Sequence, residues 1–239
     1  MILIMTTLYN AERFIATCIG SMKIQTVPFH CVITDDMSTD NSVKIVKQLI
    51  DGDSRLTLIE NTKKMYQPGN YYQISKMDFS DDDIVVTLDG DDWFPDDTTL
   101  ERVESYYTSR TMMCFGQFVW LTNGSFYEGF TTKPTNLLDI RNCRWTTSHL
   151  RTFKLGLFRS IQECDLIGPT GNYWECTGDQ AIIFPMIEMC SPDRIKFVSD
   201  VNMVYNNDNP INDHKVNGGI QLEYERLIRA KQKYQVKYI

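Results

Sequence analysis

The sequence predicts an α/β domain whose strands run mostly parallel and are covered by helices. Three observations predict it. First, from Ile2 to Leu88, short apolar runs alternate with segments whose apolar residues recur every three or four positions, in β-α-β-α-β order. Second, three of those runs end in polar clusters, at Tyr9-Asn10, Asp35-Asp36 and Asp89 to Asp92. Third, 239 residues with 42% hydrophobic and 23% charged content suit one ordinary globular domain. Parallel sheets bind ligands beyond the carboxyl ends of their strands, so the three clusters point to one edge and one candidate site.

The elements follow in order. Ile2 to Thr7 is apolar enough for a buried strand. Ala11, Phe14, Ile15, Cys18, Ile19 and Met22 form one helical face. Phe29 to Thr34 is a second strand. Ser38-Thr39-Asp40-Asn41 supplies cap chemistry for a helix with Val43, Val46, Leu49 and Ile50 inward, ended by Asp51-Gly52. Leu56 to Glu60 is a third strand, Pro68 to Met77 a helix packed through Tyr71, Tyr72 and Ile74, and Ile84 to Leu88 a fourth strand. Asp81-Asp82-Asp83 precedes that strand, lies at the opposite edge and reads as a polar turn.

The second half is less regular. Met112 to Trp120 and Ser125 to Phe130 suit a hairpin around Asn123-Gly124. Gly156 to Gln162 reads as a short helix, and Asp179 to Met189 as a longer one that Pro185 would kink. Ile195 to Val198 and Asn202 to Tyr205 read as two short strands. Gln221 to Lys233 is a terminal helix with Leu222, Leu227 and Ile228 inward.

Composition excludes several classes. A chain of this size buries roughly 70–75% of its unfolded surface and needs no staple. The seven cysteines are odd in number, scattered and without a Cys-x-x-Cys pair, which predicts free intracellular thiols rather than disulfides or zinc. Met1 to Met5 is too short to span a membrane and lacks the basic start of a signal peptide. A cytosolic protein without a transmembrane segment is therefore expected. The net charge is −7, yet nine aspartates crowd between Asp78 and Asp97, so the acidity is local. No basic stripe offers a nucleic-acid face.

Asp89-Gly90-Asp91-Asp92 directly follows a strand. Carboxylates two apart in a turn can converge on a hard cation, Mn²⁺ or Mg²⁺, which neutralises a departing diphosphate. The same tetrapeptide also reads as a solvated acidic turn.

Thr6-Thr7-Leu8-Tyr9-Asn10-Ala11-Glu12 resembles the P-T-Y-N-x-E opening of family 2 glycosyltransferases of the GT-A fold. Val32 to Asp40 resembles their V-D-D-G-S-T-D segment, and Val86 to Trp93 their D-x-D-D metal motif. The resemblance covers roughly the first 100 residues, in the family's order. It implies a Rossmann-like α/β/α sandwich that moves a sugar from a nucleotide-diphosphate donor, UDP favoured, to a glycan or other hydroxyl acceptor, with inversion. It implies that Thr7 and Tyr9 line the base and ribose pocket, and that Asp36 accepts a hydrogen bond from the base. Asp89 would lie near the ribose and donor sugar, Asp91 would bind the metal, and Asp92 would support it. One domain, 1–239, is expected, with a nucleotide-sugar half to about residue 110 and an acceptor half from about 111.

Three departures bear on the nucleotide identity more than on the fold. Met37 stands where relatives carry Gly, where a positive φ is costly. Leu8 interrupts the polar run. Gly69-Asn70 stands without the usual Arg, which leaves Lys63 or Lys64 to meet the phosphates.

In the second half, Thr177-Gly178-Asp179-Gln180 opens a helix. Inverting relatives place a catalytic base there, and Asp179 would take the acceptor's proton; an ordinary N-cap is the plainer alternative. The resemblance also implies His214 as a metal ligand and Lys215 as a diphosphate contact. His149-Leu150-Arg151-Thr152 with Trp145 and Trp174 suit an acceptor pocket, although Trp is also ordinary core material. Rival readings are a nucleotide-sugar-binding protein without turnover and a haloacid-dehalogenase-type phosphohydrolase with Asp89 as nucleophile. Against the latter, Trp93 follows the motif where that family carries Thr or Val, and the motif lies far from the start of the chain.

Overall fold

The computed structural model describes residues 1–129, 134, 136–147 and 149–239, with only the backbone of Asp213 and His214. The first half alternates as expected: β1 Ile2–Leu8, α1 Ile15–Lys23, β2 Phe29–Asp35, α2 Ser42–Ile50, β3 Leu56–Glu60, α3 Tyr66–Ser75 and β4 Ile84–Thr87. Then come α4 Thr99–Ser105, β5 Met113–Thr122, β6 Ser125–Glu128, β7 Arg151–Lys154, α5 Leu155–Arg159, α6 Gly178–Met189, β8 Ile195–Asn206, α7 Asp213–Val216 and α8 Gly218–Ala230.

One sheet takes the order β3-β2-β1-β4-β7-β5-β6, with β8 also paired to β5. β1 sits between β2 and β4, parallel to both. Its side chains alternate between two cores. Ile2 and Ile4 face α1, α2 and α4, while Leu3 and Met5 face α3, α5, α6 and α8. Burial on both faces is why this strand reads as an unbroken apolar run.

β7 pairs antiparallel with both β4 and β5, and β8 pairs parallel with β5. β5 and β8 therefore run in the direction of β4. Three consequences place the site. The carboxyl ends of β1, β2, β4 and β8 share one edge. The amino end of β7 shares it too, and its first residue is Arg151. The Asp81-Asp82-Asp83 turn lies at the other edge, where Asp83 binds the terminal amine at 3.1 Å and Asp81 pairs with Arg159 at 2.6 Å.

Several expectations are corrected. Ile195 to Tyr205 is one strand, because bulges opposite Gln117 absorb the polar interruption that looked like a break. Leu222 is 72% exposed, whereas Tyr224 and Ile228 of α8 are buried in the core and Leu227 packs against it. The hairpin forms through Asn123 and Gly124, both at positive φ, but Phe130 lies outside the described residues. All seven cysteines are free thiols. Among the described residues no helix is long and apolar enough to cross a membrane.

Met37 takes a φ of +67° although it carries a side chain. Asn10, Tyr66 and Thr177 are likewise left-handed, at +48°, +53° and +59°. All four residues flank the site, where such strain is held by the surrounding structure.

A buried ion pair fixes the second half. Arg141 grips Glu188 of α6 through two nitrogens, at 2.6 and 2.9 Å, and also donates to the carbonyl of Ile228 in α8. Arg229 of α8 returns bonds to the carbonyls of Arg141 and Cys143. Replacing one partner leaves the other charge buried alone, so Glu188→Gln should cost about 3–5 kcal/mol in urea unfolding, and the double change Arg141→Met with Glu188→Leu should recover most of it. Met37→Gly should instead stabilise by about 0.5–1 kcal/mol, since relief of left-handed strain outweighs the added freedom of the unfolded chain; Met37→Ala should bring no gain.

Candidate active site

The loops that end β1 and β2 are stitched together by side chains. Asn10 N–H donates to Ser38 Oγ, Ala11 N–H to Ser42 Oγ and Glu12 N–H to Asp40 Oδ2, at 2.9–3.0 Å. In return, Thr39 N–H donates to Asn10 Oδ1 and Asn41 N–H to Glu12 Oε2. Asp40 also accepts from Ser42 N–H, so it, not Asp36, serves the start of α2. These bonds leave Thr7, Tyr9 and Asp36 lining a cleft of about 850 Å³. Asp89, Asp91, Asp92, Arg151 and Asp179 line the same cleft.

Asp36 is buried and well occupied. Asn61 Nδ2, Met65 N–H and Tyr66 N–H donate to it at 3.0, 2.8 and 3.0 Å, and the Lys64 ammonium lies at 3.7 Å. The carboxylate thus shapes the entry to α3. Lys64 also sits 3.0 Å from the centre of the Tyr9 ring. Burial lowers its pKa against the pull of Asp36. Lys63 is exposed.

The acidic turn after β4 is held from two sides. Gly90 N–H donates to Thr7 carbonyl at 2.9 Å, and a Cβ on Gly90 would come within 3.1 Å of that oxygen. This close approach of backbones is why Gly stands between the aspartates. Thr7 Oγ1 and Gln67 Nε2 donate to Asp89 Oδ1 at 3.1 and 3.3 Å. Desolvation raises the Asp89 pKa, opposed first by Arg151 and then by these bonds. On the other side, Asn209 Nδ2 donates to Asp91 Oδ2 at 2.7 Å, and Asn206 N–H to Asp92 Oδ1 at 2.8 Å. A bridge between Trp93 and Val204 locks the turn to β8. Asp92 is 1% exposed, and its Oδ2 is buried without a hydrogen-bond partner. Burial, then Asp91 and Asp89, push its carboxyl well above the usual range.

Across the cleft, Arg151 Nη2 binds Asp179 Oδ2 at 2.9 Å, and Gln180 N–H donates to Asp179 Oδ1 at 2.8 Å. Arg151 Nε is anchored to the Thr147 carbonyl. A Cβ on Gly178 would fall 2.5 Å from Pro68 Cγ, so glycine lets the start of α6 pack against the start of α3. That contact brings the Asp179 carboxylate to the donor half.

The expected residues thus meet in one place, with two exceptions. Lys215 is not among the cleft-lining residues; its ammonium binds the carbonyls of Asn207 and Asn209. The side chain of His214 lies outside the described residues. Trp174 is 2% exposed, with its indole N–H bound to the Asp165 carbonyl, so it is chiefly core. Sequence reasoning placed Arg151 in an acceptor-pocket segment without its tie to Asp179, and it missed Gln67, Trp120, Tyr205, Asn206 and Asn209. The polar run from Asn206 follows a strand just as the three recognised clusters do, and that signal pointed to it.

The family model described as Glycosyl transferase family 2 matches residues 3–165. No curated protein sequence matches the chain. Among solved structures, S. aureus TarS 1-349 in complex with UDP is 18% identical, with a TM-score of 0.68 over 95% of this chain and 64% of that one. The mannosyltransferase PcManGT from Pyrobaculum calidifontis, in complex with GDP-Man and Mn²⁺, is 16% identical, with a TM-score of 0.61 over 98% of this chain and 65% of that one. The chain therefore spans just under two thirds of these relatives' length, and at such identities the likeness is one of fold. With the family match covering more than half of the sequence, and its mostly parallel sheet matching GT-A structures, the chain belongs to glycosyl transferase family 2.

Proposed function

We propose that this chain transfers a sugar from a nucleotide-diphosphate donor, a UDP-sugar by preference, to a hydroxyl acceptor with inversion and with the aid of Mn²⁺ or Mg²⁺. The observation that carries the reading is the convergence of Asp36, Asp91 and Asp179, from distant parts of the chain, on one cleft.

The donor set suits a hard divalent cation. Asp91 offers carboxylate oxygens at the cleft, and the buried Oδ2 of its neighbour Asp92 lacks a hydrogen-bond partner. Among the described residues no cluster of three His, Cys, Asp or Glu side chains could hold a metal ion unaided. One carboxylate plus substrate phosphates is a common arrangement for Mg²⁺-type ions. When bound, the cation offsets the charge of the departing diphosphate.

The chain's own groups supply the rest. Tyr9 and Thr7 border the nucleotide end, and Asp36 holds the loop before α3 that closes it. Asp179 accepts the proton of the attacking hydroxyl as the new bond to the anomeric carbon forms and the bond to the diphosphate breaks. Arg151 fixes the direction of that carboxylate, and its guanidinium also acts on Asp89. Attack from the Asp179 side, opposite the leaving group, inverts the anomeric centre.

A thermal-shift panel of UDP-, GDP-, dTDP- and CDP-sugars with and without Mn²⁺ tests donor binding, because a ligand of the native state raises the midpoint. The expected result is a Mn²⁺-dependent shift with a UDP-sugar, lost in Asp91→Asn; no shift with any donor overturns the reading. In a transfer assay Asp179→Asn should keep the donor shift while its rate falls by about 10²–10⁴-fold. An unchanged rate removes Asp179 as the base. Donor binding by the wild type with transfer to no acceptor or water makes it a binding protein instead.

A further inference from the structure

The acceptor half of the cleft combines two independent features. The first is an aromatic ledge. Trp120 of β5, Tyr205 of β8 and His149, just before β7, all line the cleft. The Trp120 and Tyr205 rings meet edge-on at 4.8 Å, and His149 lies tilted against Tyr205 at 5.2 Å. Burial, then Arg151, hold the imidazole pKa well below its usual range, so this surface is uncharged. Trp145 continues the aromatic surface toward Asp179, with its ring 5.6 Å from the Arg151 guanidinium carbon.

The second feature is charge. The cleft-lining carboxylates are Asp36, Asp89, Asp91, Asp92, Glu175, Asp179 and Glu225; among the described lining residues only Lys64 and Arg151 are cationic, and Arg229, which does not line the cleft, pairs with Glu225 at 2.7 Å. Arg151 is committed to Asp179, and Lys64 lies at the nucleotide end between Tyr9 and Asp36. Among the described cleft-lining residues of the acceptor half, no lysine or arginine other than Arg151 is present to receive an anion. Polar groups there include the amides of Gln180, Asn217 and Gln221. Amides both donate and accept, as sugar hydroxyls do. Gln180 is 5% exposed, and its Oε1 is buried without a hydrogen-bond partner.

We infer that the acceptor is a saccharide bearing no negative charge, seated on the ledge of Trp120, His149 and Tyr205. This deepens the glycosyltransfer reading and rests on it. The apolar C–H face of a pyranose packs on aromatic rings, and the amides take its hydroxyls. A phosphate or carboxylate on the acceptor would face Glu175 and the already paired Asp179 and Glu225, with no uncommitted lysine or arginine among the described lining residues of this half to answer it, and such like-charge contacts select against that partner.

Calorimetric titration in the presence of UDP and Mn²⁺ tests the inference. The probes are neutral methyl glycosides and disaccharides of glucose, galactose and N-acetylglucosamine, set against the matching uronates and sugar phosphates. The neutral probes should bind, and their anionic counterparts should bind at least about tenfold more weakly. Trp120→Ala should weaken the neutral probes about tenfold while Trp120→Phe restores most of the loss. Glu175→Lys, at a half-buried position, should narrow the gap between neutral and anionic probes. Equal or tighter binding of the anionic probes, binding of no neutral probe, or indifference to Trp120→Ala overturns the inference. UDP binding is read separately in the same protein; its loss strikes the glycosyltransfer reading, whereas the saccharide preference decides this one.

Discussion

Crowding of carboxyl groups at one sheet edge is the constraint on which the rest depends. Parallel strands deliver their carboxyl ends together, and those of β2 and β4 here carry aspartates. Such a gathering is unfavourable unless desolvated carboxyls protonate, find cations or sit against N–H donors. The chain uses all three outlets. Asp92 is shifted toward its neutral form, Asp179 holds Arg151, and Asp36 takes backbone donors from Met65 and Tyr66. Asp91 remains turned to the cleft with an amide beside it. A site arranged this way is suited to positively charged company, and a diphosphate enters it most readily with a divalent ion.

The residues that carry the family resemblance divide into two kinds of work. Thr7, Tyr9 and the acidic turn line the cleft. Asn10, Ala11, Glu12, Ser38, Thr39 and Asp40 instead bind one another's loops, through hydrogen bonds between side chain and backbone. Those bonds hold Asn10 and Met37 in left-handed conformations, which Asn tolerates and Met does not favour by itself. A motif of this type therefore records how two loops are joined as much as what they touch.

The first half was legible because its strands are buried on both faces and its helices show one apolar stripe. The second half was less so, for identifiable reasons. β7 is four residues long and starts with a charged residue, so neither length nor alternation marks it. The pairing of Arg151 with Asp179 is not visible until the antiparallel insertion of β7 brings the two together. The bulged register between β5 and β8 hides a single strand behind a polar interruption. Met37 shows that an expected cost does not forbid a conformation; it states what the neighbouring bonds must supply. In the site, carboxylates were legible from their position after strands, while amides and aromatic rings, common in any sequence, were recognised only once the sheet placed them.

α6 carries the candidate base in its first turn and Glu188 near its other end. Through Arg141 and Arg229, the latter point is tied to α8, whose side chains Gln221 and Glu225 form part of the cleft wall. One rod thus sets the separation between the proton-accepting group and the surface opposite it. That wall is braced from behind, so an altered preference for the incoming molecule would come from exchanging side chains on its face while these ties keep the spacing.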